Sequence, residues 1–505
     1  MVAGMREVFD SDRTLKKEWR IQQLKNLKRM IMECKEELCE ALQKDLHKSP
    51  FEGFATELGL CISEINVALD ELGEWMKPEK KANSPLNIPC WSTTQRDPLG
   101  MVLVMGAWNY PMQLSLVPMV GAICGGNCVV LKPGSYAVAS SNCLARVIPR
   151  YMDPDCIKVV EGNRDLTSAL LKERWDKIFF TGSGYVGRVV ARAAAEHMTP
   201  CVLELGGKSP CIIDRSADLE HAVERLVWGT FVNGGQTCVR PDFVMVHEAV
   251  ADAFFQQVQK TIVQFYGSDP QQSQWFGRCI NAGAFKRLSK LTEENKDYVV
   301  VGGQVDAADK FISPTVFDFG SNLQAFEASS LMQDELFGPL LPCFRYSSID
   351  SVVSFVRRLP TGKPLALYAF TQNPSVAHTI KTRTTSGGLN INDVIMHLAN
   401  HTLPFGGVGS SGMGNYHGRY SFDCFTHEKA VLEKSQFLDQ SIAFKPLLAA
   451  RFPPYTPLKQ NLVKVFTAHI MDKVFNFPLP FLRKCLKLLA LYFVFYSLGF
   501  RITKV

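Results

Sequence analysis

Ile178-Phe179-Phe180-Thr181-Gly182-Ser183-Gly184-Tyr185-Val186-Gly187 decides the fold: an apolar β run, a G-x-G-x-x-G turn, then an Ala-rich helical pattern to His197. Glycines at such a turn let backbone N–H groups approach a pyrophosphate at a helix N-terminus. The other reading is an ordinary tight turn, and the strand–turn–helix context favours the nucleotide site. Three β runs precede it, Met101–Met105, Cys128–Leu131 and Ile157–Val160, with a Gly/Pro-punctuated loop at Gly106–Pro111. Alternation of such runs with helical patterns predicts βαβ units and a parallel sheet. After Leu205-Gly206-Gly207 it restarts with Pro210–Ile213, Asp242–His247 and Leu365–Phe370, which predicts a second α/β domain.

Outward from this centre, residues 13–82 read as helix. Leu15, Trp19, Ile21, Leu24, Leu27 and Met30 recur at helical spacing, and a second such run covers Leu58–Leu72. Lys77–Pro98 reads as an irregular or extended arm. The 505 residues are 46% apolar and 21% charged, enough to bury sizeable cores and to exclude a disordered or low-complexity chain. Fifteen cysteines without repeated spacing exclude a small disulfide scaffold and predict free thiols in a reducing compartment. No histidine stands at metal-ligand spacing from the cysteines, so no metal is expected. The charged Met1–Asp12 segment predicts no secretory signal, Val2 no myristoylation, and the Ile-Thr-Lys-Val ending no prenylation.

Charge is uneven. Of the net +6, residues 431–505 hold eleven Lys and Arg against three acids, so the rest of the chain is slightly negative. This argues against a nucleic-acid enzyme and for a tail with its own partner. Leu488–Phe500 has no charge and is bounded by Arg483, Lys484, Lys487, Arg501 and Lys504. As a helix it would span about 20 Å of the roughly 30 Å hydrocarbon core. Membrane contact through residues 475–505 is expected, by snorkelling lysines or by lying in the interface. The alternative is a helix docked on protein.

Three further segments carry chemistry. Phe231-Val232-Asn233-Gly234-Gly235-Gln236-Thr237-Cys238 presents a cysteine after a glycine pair, either exposed to a substrate or simply buried. In Leu203-Glu204-Leu205-Gly206-Gly207-Lys208 a carboxylate between leucines is either a desolvated general base or a salt-bridge partner of Lys208 or Arg192. By spacing alone, Glu204 also stands where a ribose-binding acid would follow the glycine loop. In Met105-Gly106-Ala107-Trp108-Asn109-Tyr110-Pro111 the Asn109 amide either donates to an oxyanion or caps a helix. Arg240 either lowers the Cys238 pKa or points to solvent.

Together these segments resemble the aldehyde dehydrogenase superfamily, and in detail its class 3 branch, which includes fatty aldehyde dehydrogenases. Further matches are Leu131-Lys132-Pro133, Glu335-Leu336-Phe337-Gly338-Pro339, Asn390-Ile391-Asn392-Asp393-Val394, Leu403-Pro404-Phe405-Gly406-Gly407-Val408-Gly409, Ser411-Gly412-Met413-Gly414, Tyr416-His417-Gly418 and Arg451-Phe452-Pro453-Pro454-Tyr455. The likeness runs from about residue 10 to about residue 456 in consistent order.

The resemblance implies an α/β fold: a Rossmann-type dinucleotide-binding domain (1–82 and 101–204) and an α/β catalytic domain (205–400). A small bridging β arm (83–100 with 401–430) would pair subunits into a homodimer, and residues 431–505 would form the basic tail. It implies Cys238 as nucleophile, Asn109 with the Cys238 backbone N–H as oxyanion donors, and Glu204 as the base that activates water. The ribose reading of Glu204 then falls away. Lys132 would reach the adenosine ribose, Gly182, Ser183 and Gly187 would form the phosphate loop, and Glu335 with Phe337 would hold the nicotinamide ribose and ring.

The expected activity is oxidation of medium- to long-chain aliphatic aldehydes to carboxylic acids with NAD or NADP. Retention of Glu204 favours a free acid over acyl transfer to coenzyme A. One departure bears on the cofactor. The family's usual Lys-Pro-Ser-Glu is here Lys132-Pro133-Gly134-Ser135, so no carboxylate would repel a 2′-phosphate. Ser183 and Gly184 also stand where the family often has Thr or Asn. The expected location is the cytoplasmic face of an intracellular membrane, the endoplasmic reticulum in a eukaryote, and otherwise the cytosol. The competing functions are a cofactor-independent cysteine acyl hydrolase and a non-catalytic binding protein. The glycine loop, Lys132 and Glu335 oppose the first; the intact Cys238, Glu204 and Asn109 oppose the second.

Overall fold

Runs of Val, Leu, Ile and Phe make strands buried on both faces, as parallel sheets require. In a computed structural model describing residues 1–83, 87, 90–436, 449–467, 484 and 488, every residue of Met101–Met105, Cys128–Lys132 and Lys177–Thr181 is buried. These belong to a six-stranded sheet ordered Gly412–Met413, Cys201–Glu204, Lys177–Thr181, Met101–Met105, Cys128–Lys132, Ile157–Val159. The last five run parallel. The chain starts at Met101–Met105, builds to one side through Ile157–Val159, then returns and builds to the other. That reversal is the switch point at which α/β sheets open a ligand crevice.

A seven-stranded sheet follows, ordered Val299–Val301, Thr315–Asp318, Leu340–Tyr346, Phe243–His247, Pro210–Ile213, Ala366–Phe370, Gly388–Ile391. Only its Val299–Val301 edge is antiparallel among the described strands. Phe243, Phe326, Phe344 and Phe355 pack edge-on or stacked in its core. Helices Lys17–Glu33, Lys35–Leu46 and Gly59–Trp75 fill the predicted N-terminal helical region.

Both sheets lie in one unit, residues 1–75 with 98–427; residues 76–97 and the described residues from 428 onward form another. Glu79–Lys81, Cys90–Pro98 and Thr426–Lys434, which but for Pro98, Thr426 and His427 belong to the second unit, make a three-stranded sheet. Lys429 pairs with Asp97 at 2.6 Å there. The segment 401–427, expected in the arm, lies instead with the two large sheets. Gly412–Met413 pairs antiparallel with Leu203–Glu204, which draws this segment to the sheet edge. Among the described residues no helix is long and apolar enough to cross a membrane. The 475–505 segment lies outside the described residues except for Lys484 and Leu488.

Candidate active site

Four of the parallel strands collect the residues at their carboxyl ends along one edge. Asn109 follows Met101–Met105, Lys132 closes Cys128–Lys132, Gly182 follows Lys177–Thr181 and Glu204 closes Cys201–Glu204. Here a helix begins at Gly184, its N-cap Ser183 accepting from the Val186 N–H at 3.4 Å. A Cβ at Gly187 would stand 2.7 Å from Leu205, so glycine lets this helix close on the sheet. Lys132 is 6% exposed; its Nζ donates to the Pro133 carbonyl at 3.1 Å and to Ser135 Oγ at 2.7 Å. Ser135 in turn donates to the Gly162 carbonyl. No described carboxylate pairs with Lys132, and burial lowers its pKa.

The cysteine loop is built by backbone conformation. After the Leu219–Phe231 helix, Asn233, Gly234 and Gly235 all adopt left-handed φ, at 56°, 60° and 73°. A Cβ at Gly235 would collide with the Gly338 carbonyl, so only glycine fits. Gln236 then locks the turn: its amide donates to the Asn233 and Arg278 carbonyls and accepts from the Ile280 N–H at 2.9 Å. Gln236 and Tyr110 carry no separate mark in the sequence beyond standing two residues before Cys238 and next to Asn109 within the same motifs.

Cys238 is half-buried and opens on a cavity of about 670 Å³. Glu204 lines the same cavity, as do Leu114, Trp228, Phe265, Trp275 and Met396. Glu204 is 3% exposed and neither carboxylate oxygen has a hydrogen-bond partner. Burial alone pushes its pKa well above the usual carboxylate range. The salt-bridge alternative fails, because Lys208 is spent elsewhere, on Asp242 and on the Leu331 and Asp334 carbonyls.

Neither reading of Arg240 holds, and the thiol is not activated by it. The sulfur is not ionised at neutral pH: burial, then the charges of Glu335 and Glu204, push the Cys238 thiol up to about 12. Arg240 neither points to solvent nor bears on the thiol. It is buried, with Nη1 on Asp242 at 3.1 Å and Nη2 on the Leu340 carbonyl at 2.5 Å.

Asn109 is no helix cap. The next helix, Gln113–Cys124, is capped at Met112, and the Asn109 amide instead donates to the Gln236 carbonyl at 3.0 Å. Glu335 lies against Gly206, with Oε1 buried and unpartnered. Burial and the Asp242 charge raise its carboxyl to about 8. Phe337, at φ 51°, meets Trp108 edge-on at 5.3 Å. A buried lysine without a carboxylate, a helix N-terminus at a switch point and the orphaned Glu335 and Thr181 oxygens fit a dinucleotide.

The sequence profile of the Aldehyde dehydrogenase family matches residues 1–431. The chain is 42% identical over 461 residues to Aldehyde dehydrogenase family 3 member B1 of Homo sapiens, covering 91% of this chain and 95% of that one. It is 42% identical over 476 residues to Aldehyde dehydrogenase family 3 member H1 of Arabidopsis thaliana, covering 94% and 95%. Among solved structures, the substrate-bound state of Staphylococcus aureus AldH matches at TM-score 0.87 and 38% identity, over 92% of this chain and 98% of that one. An NAD-dependent aldehyde dehydrogenase from Sinorhizobium meliloti matches at TM-score 0.77 and 25% identity, over 90% and 88%. With an orphaned carboxylate and a cysteine facing one cavity beside a dinucleotide crevice, the chain belongs to the aldehyde dehydrogenase family and is an NAD(P)-dependent aldehyde dehydrogenase.

Proposed function

We propose that the protein oxidises medium- to long-chain aliphatic aldehydes to free carboxylic acids through an acyl group carried on Cys238. The observation that supports this most is that Cys238 and Glu204 share one cavity whose other walls are largely apolar. An alkyl chain buried there gains about 0.8 kcal/mol per methylene.

Cys238 Sγ attacks the aldehyde carbon as its proton is released to water in the cavity. The oxyanion that forms takes hydrogen bonds from the Cys238 backbone N–H and from the Asn109 amide, whose other N–H is held by Gln236. Donors preplaced in this way contribute about 3–4 kcal/mol each. Lys132, Ser135, Gly182, Ser183, Gly187, Glu335 and Phe337 would hold the dinucleotide, which when bound supplies the hydride acceptor. Glu204 then takes a proton from the water that attacks the acyl–sulfur carbonyl, and the Cys238 thiolate leaves. A carboxyl with raised pKa and no competing partner suits that proton transfer.

NADP is accepted beside NAD, because Ser135 brings no negative charge toward a 2′-phosphate. Dinucleotide binding is assigned to the six-stranded sheet, catalysis to the seven-stranded one, and pairing into homodimers to the arm strands. The 475–505 tail attaches the enzyme to the cytoplasmic face of an intracellular membrane, the endoplasmic reticulum in a eukaryote. Support for the tail is its charge and its uncharged Leu488–Phe500 run. Full-length protein is expected to pellet with anionic vesicles and the protein ending at residue 469 to remain in solution; pelleting of both would overturn the assignment.

The test of function is absorbance of reduced dinucleotide over a series of aldehydes. Turnover rising with chain length, lost in Cys238→Ala, is expected. Ester cleavage without any dinucleotide-dependent aldehyde oxidation would favour the acyl hydrolase.

A further inference from the structure

Lys48 is a wholly buried ammonium beside the site. Its Nζ donates to Glu57 Oε1 at 2.6 Å and to the Asn109 carbonyl at 3.0 Å, and stands 3.9 Å from the centre of the Tyr110 ring. Glu57, equally buried, uses its second oxygen to accept from the backbone N–H groups of Met112, at 2.8 Å, and Gln113, at 3.3 Å. The pair therefore grips one loop at four successive points: the carbonyl of 109, the ring of 110 and the amides of 112 and 113.

That loop is in turn fastened to the one carrying Cys238. Asn233 Nδ2 donates to the Asn109 carbonyl at 2.8 Å, Asn109 Nδ2 donates to the Gln236 carbonyl at 3.0 Å, and the Tyr110 and Thr237 hydroxyls share a hydrogen bond at 2.7 Å. Both ends of the linkage are short. Gln236 and Thr237 immediately precede the cysteine, and Asn109 and Tyr110 are held directly by the ammonium.

Desolvating two charges costs free energy that their attraction repays only with good geometry, and apolar replacements of such pairs are often neutral or stabilising. Stability alone is therefore a poor account of a pair wedged under the oxyanion loop. We infer that Lys48 and Glu57 are positioning residues that fix the Asn109 amide and the Tyr110 hydroxyl, and through Gln236 and Thr237 the approach of the Cys238 sulfur. This rests on the reading of Cys238 as nucleophile. The pair works through geometry: the charges that bear on the thiol are those of Glu335 and Glu204.

The test is Lys48→Met combined with Glu57→Gln, which removes both charges of the pair and keeps an acceptor for the two amides, with Glu52→Gln added in a parallel variant because Lys48 also faces that carboxylate. Three quantities are measured: melting temperature, dinucleotide affinity, and the single-turnover rate of aldehyde oxidation. The expected result is parental melting and affinity with a single-turnover rate about 10- to 100-fold lower, the cost of an ångström-scale misplacement. A parental rate would overturn the inference, and so would a rate loss matched by loss of dinucleotide affinity. Should the double variant not fold, Tyr110→Phe decides. It keeps the ring under the ammonium and removes only the Thr237 bond; a rate about fivefold lower at parental melting is expected, and a parental rate would overturn the inference. Cys238→Ala run alongside separates the two readings. Activity in Cys238→Ala defeats the nucleophile assignment, whereas its inactivity beside a parental Lys48→Met/Glu57→Gln defeats the positioning role alone.

Discussion

Glu335 lies so close to Gly206 that any side chain at 206 would run into its carboxylate. The contact ties the Glu-Leu-Phe-Gly-Pro loop to the segment that carries Glu204 two residues earlier. Behind it, Lys208 and Arg240 converge on Asp242, which also accepts from the Leu336 N–H at 3.1 Å. The loop that would hold the nicotinamide end is thus braced from the interior. Two carboxyls, Glu335 and Glu204, bear on one thiol, and this sets the behaviour of the resting enzyme.

With its pKa pushed up to about 12, Cys238 is a thiol at neutral pH before substrate and dinucleotide bind. Glu335, at about 8, is protonated at pH 6 and ionised at pH 9, where its charge opposes thiolate formation further. Glu335→Gln is therefore expected to speed iodoacetamide alkylation of Cys238 about three- to tenfold at pH 9 and to leave the rate at pH 6 unchanged. Pseudo-first-order alkylation rates at the two pH values check this; equal rates at pH 9 would count against it.

The apolar cavity makes a prediction about substrate. Met396 lines it and is 49% exposed, so a polar residue is tolerated there by the fold. Met396→Asp is expected to lower kcat/KM for long-chain aldehydes at least about tenfold, since burial of a chain against a charge forfeits several methylenes' worth of transfer energy. Propanal oxidation should change little. Steady-state kinetics across the chain-length series measure it.

Ser135 stands two residues after Pro133, where the resemblance leads one to expect an acid. Introducing one by Ser135→Glu is expected to lower kcat/KM for NADP about tenfold or more, through like-charge repulsion of the 2′-phosphate, while NAD is kept. A parent enzyme that already favours NAD a thousandfold would remove the premise.

Much of this was legible in the residues. Apolar β runs alternating with helical patterns gave the parallel sheets, and parallel strands necessarily bring Asn109, Lys132, Gly182 and Glu204 to one edge. The Gly-Gly-Gln-Thr-Cys and Glu-Leu-Gly-Gly motifs pointed to Cys238 and Glu204 because glycine and desolvation leave local marks. What was hidden depends on contacts between segments distant in sequence. Lys48 and Glu57 look like surface charges until their burial is seen, although Glu57 stands among Phe54, Ala55 and Leu58. The fate of Arg240 was set by Asp242 and the Leu340 carbonyl, and the thiol's protonation by the arrival of Glu335 from almost a hundred residues away. Residues 401–427 fall with the large sheets through the pairing of Gly412–Met413, a strand too short to be read from its residues.

Glu204 by spacing alone reads as a ribose ligand, whereas in the structure it lines the cavity on which Cys238 opens. Glu204→Gln is expected to bind the dinucleotide with parental affinity, measured by titration calorimetry, while steady-state turnover falls about 10²- to 10⁴-fold. Lost affinity with normal turnover would restore the ribose role.

In the proposed mechanism an acyl group rides on Cys238 until Glu204 frees it. The most direct measurement is peptide mass spectrometry of Glu204→Gln quenched after incubation with decanal and dinucleotide. The mass of a decanoyl group is expected on the peptide containing Cys238, absent when Cys238→Ala is added. An unmodified Cys238 in protein that has still produced its first equivalent of reduced dinucleotide would contradict it.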